Sequence, residues 1–206
     1  MHAITHALTG WVVANGAGLE RRDRAIVTLA SVAPDIDGAG VVAELATRGS
    51  AHELYWWSEY HHVLGHNLVF GITVTLAAAL CAKRRFTTAA LACVVFHLHL
   101  LADLVGSKGP DGYEWPIPYF YPFSREIELT WSGQWALNAW PNILFTAVLL
   151  AVTMYLAWRR GFSILEMVSR RTDAGFVAAL RNRFGEPVRN PVQKPHEVIS
   201  RLSRSD

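Results

Sequence analysis

The segment from Phe86 to Val105 constrains this chain more than any other: it carries no Lys, Arg or Glu, yet holds His97, His99 and Asp103 towards its end. An apolar helix of that length suits a bilayer, whose hydrocarbon takes about 20 residues to cross. Ionisable groups inside such a helix are costly, so they face a cavity or a partner and mark a functional site. His99 and Asp103 are four residues apart and project from one helix face. One helix turn can therefore offer a nitrogen and an oxygen to a single metal ion. A buried His–Asp hydrogen bond that only fixes packing is the competing reading of this stretch alone. His97 lies about 200° around the helix from His99 and is read as a packing or supporting residue.

The rest of the chain agrees with a membrane setting. Of its 206 residues 17% are charged, against roughly 25% in soluble domains. Cys81 and Cys93 lie inside apolar runs and outside any CxxC pair, so they read as small hydrophobes. Two further apolar runs, Leu68 to Ala82 and Ile143 to Trp158, end at Lys83-Arg84-Arg85 and Arg159-Arg160. Met1 to Val13 and Ala25 to Ala33 are apolar but too short to span. The first has no basic residue ahead of it and is read as a retained helix, not a secretory signal. The second stops at Pro34-Asp35-Ile36-Asp37-Gly38. The expected fold is all-α: a polytopic helical membrane protein with about three full spans, near 67–82, 86–105 and 138–158, plus an N-terminal pair of short helices. Residues 38–60 and 106–137 read as long loops. Residues 1–160 form the membrane domain. Residues 161–206 form a basic cytoplasmic tail: a basic amphipathic helix over Ser163–Phe184, lying on an anionic leaflet or packed on the protein, followed by disorder.

Charge gives an orientation. Sixteen of the 19 Lys and Arg residues fall at Arg21 to Arg24, at Lys83 to Arg85, and from Arg159 onward. Lys and Arg concentrate on the cytoplasmic side, which places these segments inside and the two long loops outside. Trp56, Trp57, Trp115, Trp131, Trp135 and Trp140 sit in or beside the outer loops, as interfacial tryptophans do. On this map Asp35 and Asp37, His61, His62 and His66, His99 and Asp103, and His6 all fall at outer helix ends. Independent core histidines have no reason to share one level, so the convergence points to a metal site. His6, Asp35, Asp37, His61, His66, His99 and Asp103 are the candidate ligands, and an unligated Asp35 or Asp37 is the candidate general base. Asp35 as a turn residue and Asp37 as a cap are the plain alternatives. His62 competes with His61, while His2, His52 and His196 read as surface residues. Imidazole and carboxylate without thiolate suit Zn²⁺, with Mn²⁺ or Fe²⁺ as alternatives, and seven ligands leave room for more than one divalent ion.

Thr5-His6, Pro34-Asp35-Ile36-Asp37, His61 with His66, and His99 with Asp103 occur in an order that resembles the YdjM family. These are membrane-bound metal-dependent hydrolases, described as LexA-binding and inner-membrane-associated and also as a domain of unknown function. Trp115-Pro116 and Tyr121-Pro122-Phe123 look like the family's aromatic-proline segment. The resemblance covers about residues 1 to 125 and leaves the tail outside. It selects His61 over His62 as a ligand. The family writes its middle motif His-Arg-Gly-x-Thr-His-Ser, whereas this chain has His61-His62-Val63-Leu64-Gly65-His66-Asn67. His62 thus stands for the arginine, as a substitute cation or ligand or as a lost phosphate contact. The family is also similar to zinc-dependent phospholipase C and P1-type nucleases, which implies phosphodiester or phospholipid hydrolysis by metal-activated water at the extracytoplasmic face. The partners so implied are the lipid bilayer and a phosphodiester or lipid-like substrate, with no nucleic acid expected in the cytoplasm and no partner protein indicated. Two other functions compete: a non-enzymatic membrane scaffold with a structural metal, and a transporter with a His/Asp relay. A relay would spread its ionisable groups through the membrane depth, whereas here they cluster at one end.

Overall fold

The structure, a computed structural model, describes residues 1–109, 112 and 114–188. Among these the chain is helical and forms no strand beyond two isolated bridges, Lys108 with Ala136 and Ile117 with Leu129. The helices are α1 (Ala3–Gly16), α2 (Arg21–Val32), α3 (Gly40–Thr47), α4 (Trp56–Tyr60), α5 (Leu68–Cys81), α6 (Arg85–Gly106), α7 (Trp140–Arg160) and α8 (Arg170–Phe184). Two 3-10 turns, Pro34–Ala39 and Ile164–Met167, complete the set. The stretch expected as one mixed loop between residues 38 and 60 thus contains α3 and α4. The helix expected over Ser163–Phe184 is broken at Val168, and α8 restarts with Ser169 as its N-cap. The disorder expected beyond residue 186 falls mostly on residues 189–206, which lie outside the described residues, as does His196.

Five helices run alternately between two ends of the molecule. At one end the basic segments gather. The Asp23 carboxylate accepts from the Lys83 and Arg84 backbone N–H groups, each at 2.9 Å. There too Arg160 Nη1 donates to the Asn15 carbonyl at 2.7 Å. At the opposite end α1 begins, α2 ends, α5 begins, α6 ends and α7 begins. The packing between α1, α2, α5 and α6 rests on Ala14, Leu19, Val27, Ala30, Ala78, Ala92 and Val95, all buried. Small side chains let helices approach closely where lipid supplies no hydrophobic drive between them. Gly10 shows how tight the α1–α2 contact is, because a Cβ there would meet Ser31 Oγ at 2.2 Å.

Two helices, α6 and α7, are long and apolar enough to cross a membrane. A third candidate is the pair α2 and Pro34–Thr47, bent by 59° at its break. The full span expected near 67–82 is instead α5, an apolar helix of 14 residues, about 21 Å long. The chain before α5 is the irregular segment 61–67, which carries histidines inward instead of continuing the helix. Irregular backbone is tolerated at membrane depth where it is buried in protein or lines a cavity. The site end of α1, α2 and α5 accordingly lies level with His99, which sits seven residues, about 10 Å, short of the end of α6.

The tail is attached to the bundle. Glu166 accepts from Arg24 Nε at 2.7 Å and from Nη2 at 2.8 Å, with both side chains nearly buried. The Asp173 carboxylate accepts from the Ser163 hydroxyl at 2.7 Å. Val177 and Leu180 bury the inner face of α8.

Candidate metal centre

His99 is held in place before any ion is considered. Its Nδ1 lies 2.7 Å from the backbone carbonyl of Ser31, which can only accept. Nδ1 therefore carries the hydrogen, and Nε2 of the neutral ring presents a lone pair. The tight α1–α2 contact at Gly10 supports this, since Ser31 Oγ also donates to the His6 carbonyl at 2.7 Å. One turn on from His99, Asp103 accepts from Ser107 Oγ at 2.8 Å through Oδ1. Gln134 Nε2 donates to the Asp103 backbone carbonyl at 3.0 Å.

The segment 61–67 delivers the second imidazole. Gly65 passes so close to the turn after α2 that a Cβ would meet the Pro34 carbonyl oxygen at 2.1 Å. Its N–H donates to Asp37 Oδ2 at 2.9 Å, and His66 Nδ1 lies 3.1 Å from the same oxygen. Asp37 thus fixes the His66 tautomer with Nδ1 protonated, as a carboxylate does behind a metal-bound histidine. Asn67 follows as the N-cap of α5, accepting from the Phe70 N–H at 2.9 Å. Gly65 and Asn67 thus each have a local role, a close backbone approach and a helix cap.

The two freed nitrogens meet. His66 Nε2 lies 3.2 Å from His99 Nε2. Asp103 Oδ2 lies 2.9 Å from His99 Nε2 and 3.4 Å from His66 Nε2, yet has no hydrogen-bond partner of good geometry. Asp35 Oδ1 lies 3.6 Å from His99 Nε2, and Asp35 Oδ2 is likewise unpartnered. One ligand atom from each of Asp35, His66, His99 and Asp103 can be drawn so that all four lie within 4.8 Å of one another. In neutral rings with these tautomers neither Nε2 bears a hydrogen, so lone pairs face lone pairs across a buried space. A bound cation relieves that repulsion, and two imidazoles with two carboxylates fit a divalent metal.

The other expected ligands have different places. His6 reaches the edge of the group, with Nε2 3.3 Å from Asp103 Oδ1 and its ring stacked on His99 at 3.6 Å. The Met1 amino group also contacts Asp103 and Ser107. Asp37 stands behind His66, and its second oxygen lies 2.8 Å from His61 Nδ1. His61, selected from the sequence, thus pairs with Asp37 outside the four-residue group. His62 is nearer, with Nε2 4.0 Å from Asp103 Oδ2 and Nδ1 unpartnered. It adopts a φ of 67°. Burial, with His66 and His61 beside it, holds the His62 imidazole well below the usual histidine range.

Aromatic rings cover the centre from the loop side. Trp115 packs on His62 at 4.4 Å and on His61 at 5.1 Å between ring centroids, and Trp57 stacks on His61. His97 points elsewhere: Nδ1 lies 2.8 Å from the Cys93 carbonyl and Nε2 2.8 Å from the Tyr119 hydroxyl. His2 and His52 are exposed. Ser31, Ser107 and Gln134, which orient the ligands, escaped the sequence reading because nothing near them in the chain marks the contact.

A family model described as "YdjM inner membrane protein" matches residues 1–179. The match corrects the extent drawn from the motifs alone, about residues 1–125, by running on through α7 and into α8. Those helices carry no ligand motif by which to recognise them. No curated protein and no solved structure matches the chain.

Proposed function

Because the chain belongs to the YdjM inner membrane protein family, we propose that it is a membrane-embedded, metal-dependent hydrolase acting on a phosphodiester or phospholipid-type substrate at the extracytoplasmic face. The observation that carries this reading is the meeting of His66 Nε2 and His99 Nε2 with Asp103 Oδ2, each histidine held by its other nitrogen. When bound, a divalent ion supplies a Lewis acid that polarises a substrate oxygen and lowers the pKa of water. Zn²⁺ is the first candidate, with Mn²⁺ or Fe²⁺ behind it.

The chain's own residues divide the remaining work. His66, His99 and Asp103 are almost fully buried and hold the ion. Asp35 is the open member of the group, its side chain 22% exposed. One of its oxygens would complete the ligand set, and the unpartnered Oδ2 would be placed to accept a proton from water. Asp37 holds His66 and is fully engaged in doing so, which leaves Asp35 as the general base. Trp57 and Trp115 keep bulk water from the loop side of the centre. The gathering of basic segments at the opposite end supports an orientation with those segments cytoplasmic and the centre facing outward.

The test is metal analysis of the detergent-purified full chain, with hydrolysis of bis(p-nitrophenyl) phosphate and of phospholipid vesicles. Zn²⁺-dependent turnover that vanishes with Asp35→Ala is the expected result. A tightly bound ion with no turnover on either substrate would replace this reading with that of a structural metal scaffold.

A further inference from the structure

A cavity of ≈ 610 Å³ lies between α1, α6 and α7, and the metal centre does not account for it. His6 and His99 form part of its wall, together with Thr5, Thr9 and Ser31. The rest of the lining is hydrocarbon and indole. From α6 it runs over Val95 to Val105, about 15 Å of helix, and from α7 over Trp140 to Val148, about 12 Å. Its volume is that of a small-molecule site.

The cavity exists because α7 leans on α1 and not on α6. Thr5 Oγ1 and Thr146 Oγ1 share a hydrogen bond of 2.7 Å across α1 and α7. At the loop end Asn142 Nδ2 donates to the Gly106 carbonyl at 2.8 Å and holds the end of α6 beside the start of α7. Trp135 Nε1 donates to Asn142 Oδ1 at 2.9 Å and closes that corner. Between these ties the two membrane-length helices stay apart. Leu98, Leu101, Leu144 and Val148 on the rim are exposed where lipid would surround the protein.

We propose that this cavity binds the hydrocarbon chain of a membrane lipid, which enters sideways between α6 and α7 and brings its polar head to the His6–His99 wall. The proposal rests on the hydrolase reading for what happens at the head, but not for the binding itself. The lining is almost wholly apolar, as a hydrocarbon chain requires, and His99 is the one residue of the four-residue metal group in its wall, which puts the head-group end beside His6 and His99. A helix from a second copy of the chain would fill the apolar part but bring nothing to the histidines.

The experiment uses the full chain in phosphatidylcholine nanodiscs and a lysophospholipid with a diazirine on its palmitoyl chain. The label is expected on peptides covering 95–105 and 140–148. Leu144→Trp and Val148→Trp should each lower labelling by about tenfold while bound metal stays unchanged. Label spread evenly over the outer faces of α5, α6 and α7, or a dimer joined through α6 and α7 without lipid label, would overturn the proposal. Turnover gives a separate reading. Labelling of the cavity without hydrolysis of any diester leaves the chain site standing and removes the hydrolase. Equal kcat/KM for a palmitoyl diester and its chainless analogue removes the chain site and leaves the hydrolase; a preference of about a hundredfold for the palmitoyl form is expected.

Discussion

Asp37 Oδ2 lies 3.1 Å from His66 Nδ1 and accepts from the Gly65 N–H at 2.9 Å, so one carboxylate oxygen fixes both a ring and the backbone beside it. Asp37→Asn preserves shape but removes the charge behind His66. It should weaken Zn²⁺ binding by about 10- to 100-fold, as removal of such a partner does elsewhere. Calorimetric titration of the detergent-purified variant measures this. His66→Ala should remove high-affinity binding altogether, and equal affinities for wild type and Asp37→Asn would show that His66 is not a ligand.

His99 and His97 are two residues apart and do unrelated things. His99→Ala removes a nitrogen from the centre, so bound metal and hydrolysis should fall together. His97→Ala loses only the contacts to Tyr119 and Cys93, at a cost of about 1 kcal/mol in stability with metal content intact. Metal analysis of the two variants side by side decides the matter. Loss of metal from His97→Ala with retention in His99→Ala would reverse the assignment.

What could be read from the chain was what is local in the chain. The i, i+4 spacing of His99 and Asp103 and the apolar run around them were visible because one helix contains both. That His66, Asp35 and His99 share a level followed from charge and helix ends, which are also properties of segments. The roles of Asp37 and Ser31 were hidden, since each depends on a contact made across the fold. The φ of 67° at His62 was equally hidden, because it belongs to the folded backbone and not to the residue types around it. Hydropathy showed that 68–82 is apolar, and the helix there, Leu68–Cys81, keeps nearly the whole run.

The orientation proposed from the gathering of basic segments is open to labelling. In a variant with Cys81 and Cys93 replaced by Ala, a single cysteine at Arg84 should react only with a membrane-permeant maleimide in intact cells. A single cysteine at Ser124 should react with an impermeant one. Reaction of both with the impermeant reagent would place the two ends on one side and refute the proposed topology.

The last prediction concerns Arg24 and Glu166, a nearly buried pair joined through two hydrogen bonds. Breaking such a pair by removing one partner costs about 3–5 kcal/mol, because the other charge remains buried without compensation. Ending the chain after Phe162 deletes Glu166 but keeps the Phe162 ring, over which Arg24 stacks at 3.9 Å. The truncated protein should therefore melt well below the full chain in detergent. Combining the truncation with Arg24→Met removes the stranded charge and should recover a large part of the loss. Bound metal per folded molecule should be the same in all three, since among the described residues none of Asp35, His66, His99 and Asp103 bonds to the tail. A truncation that lowers metal content without lowering the melting temperature would mean that the tail acts on the centre itself and not on the stability of the bundle.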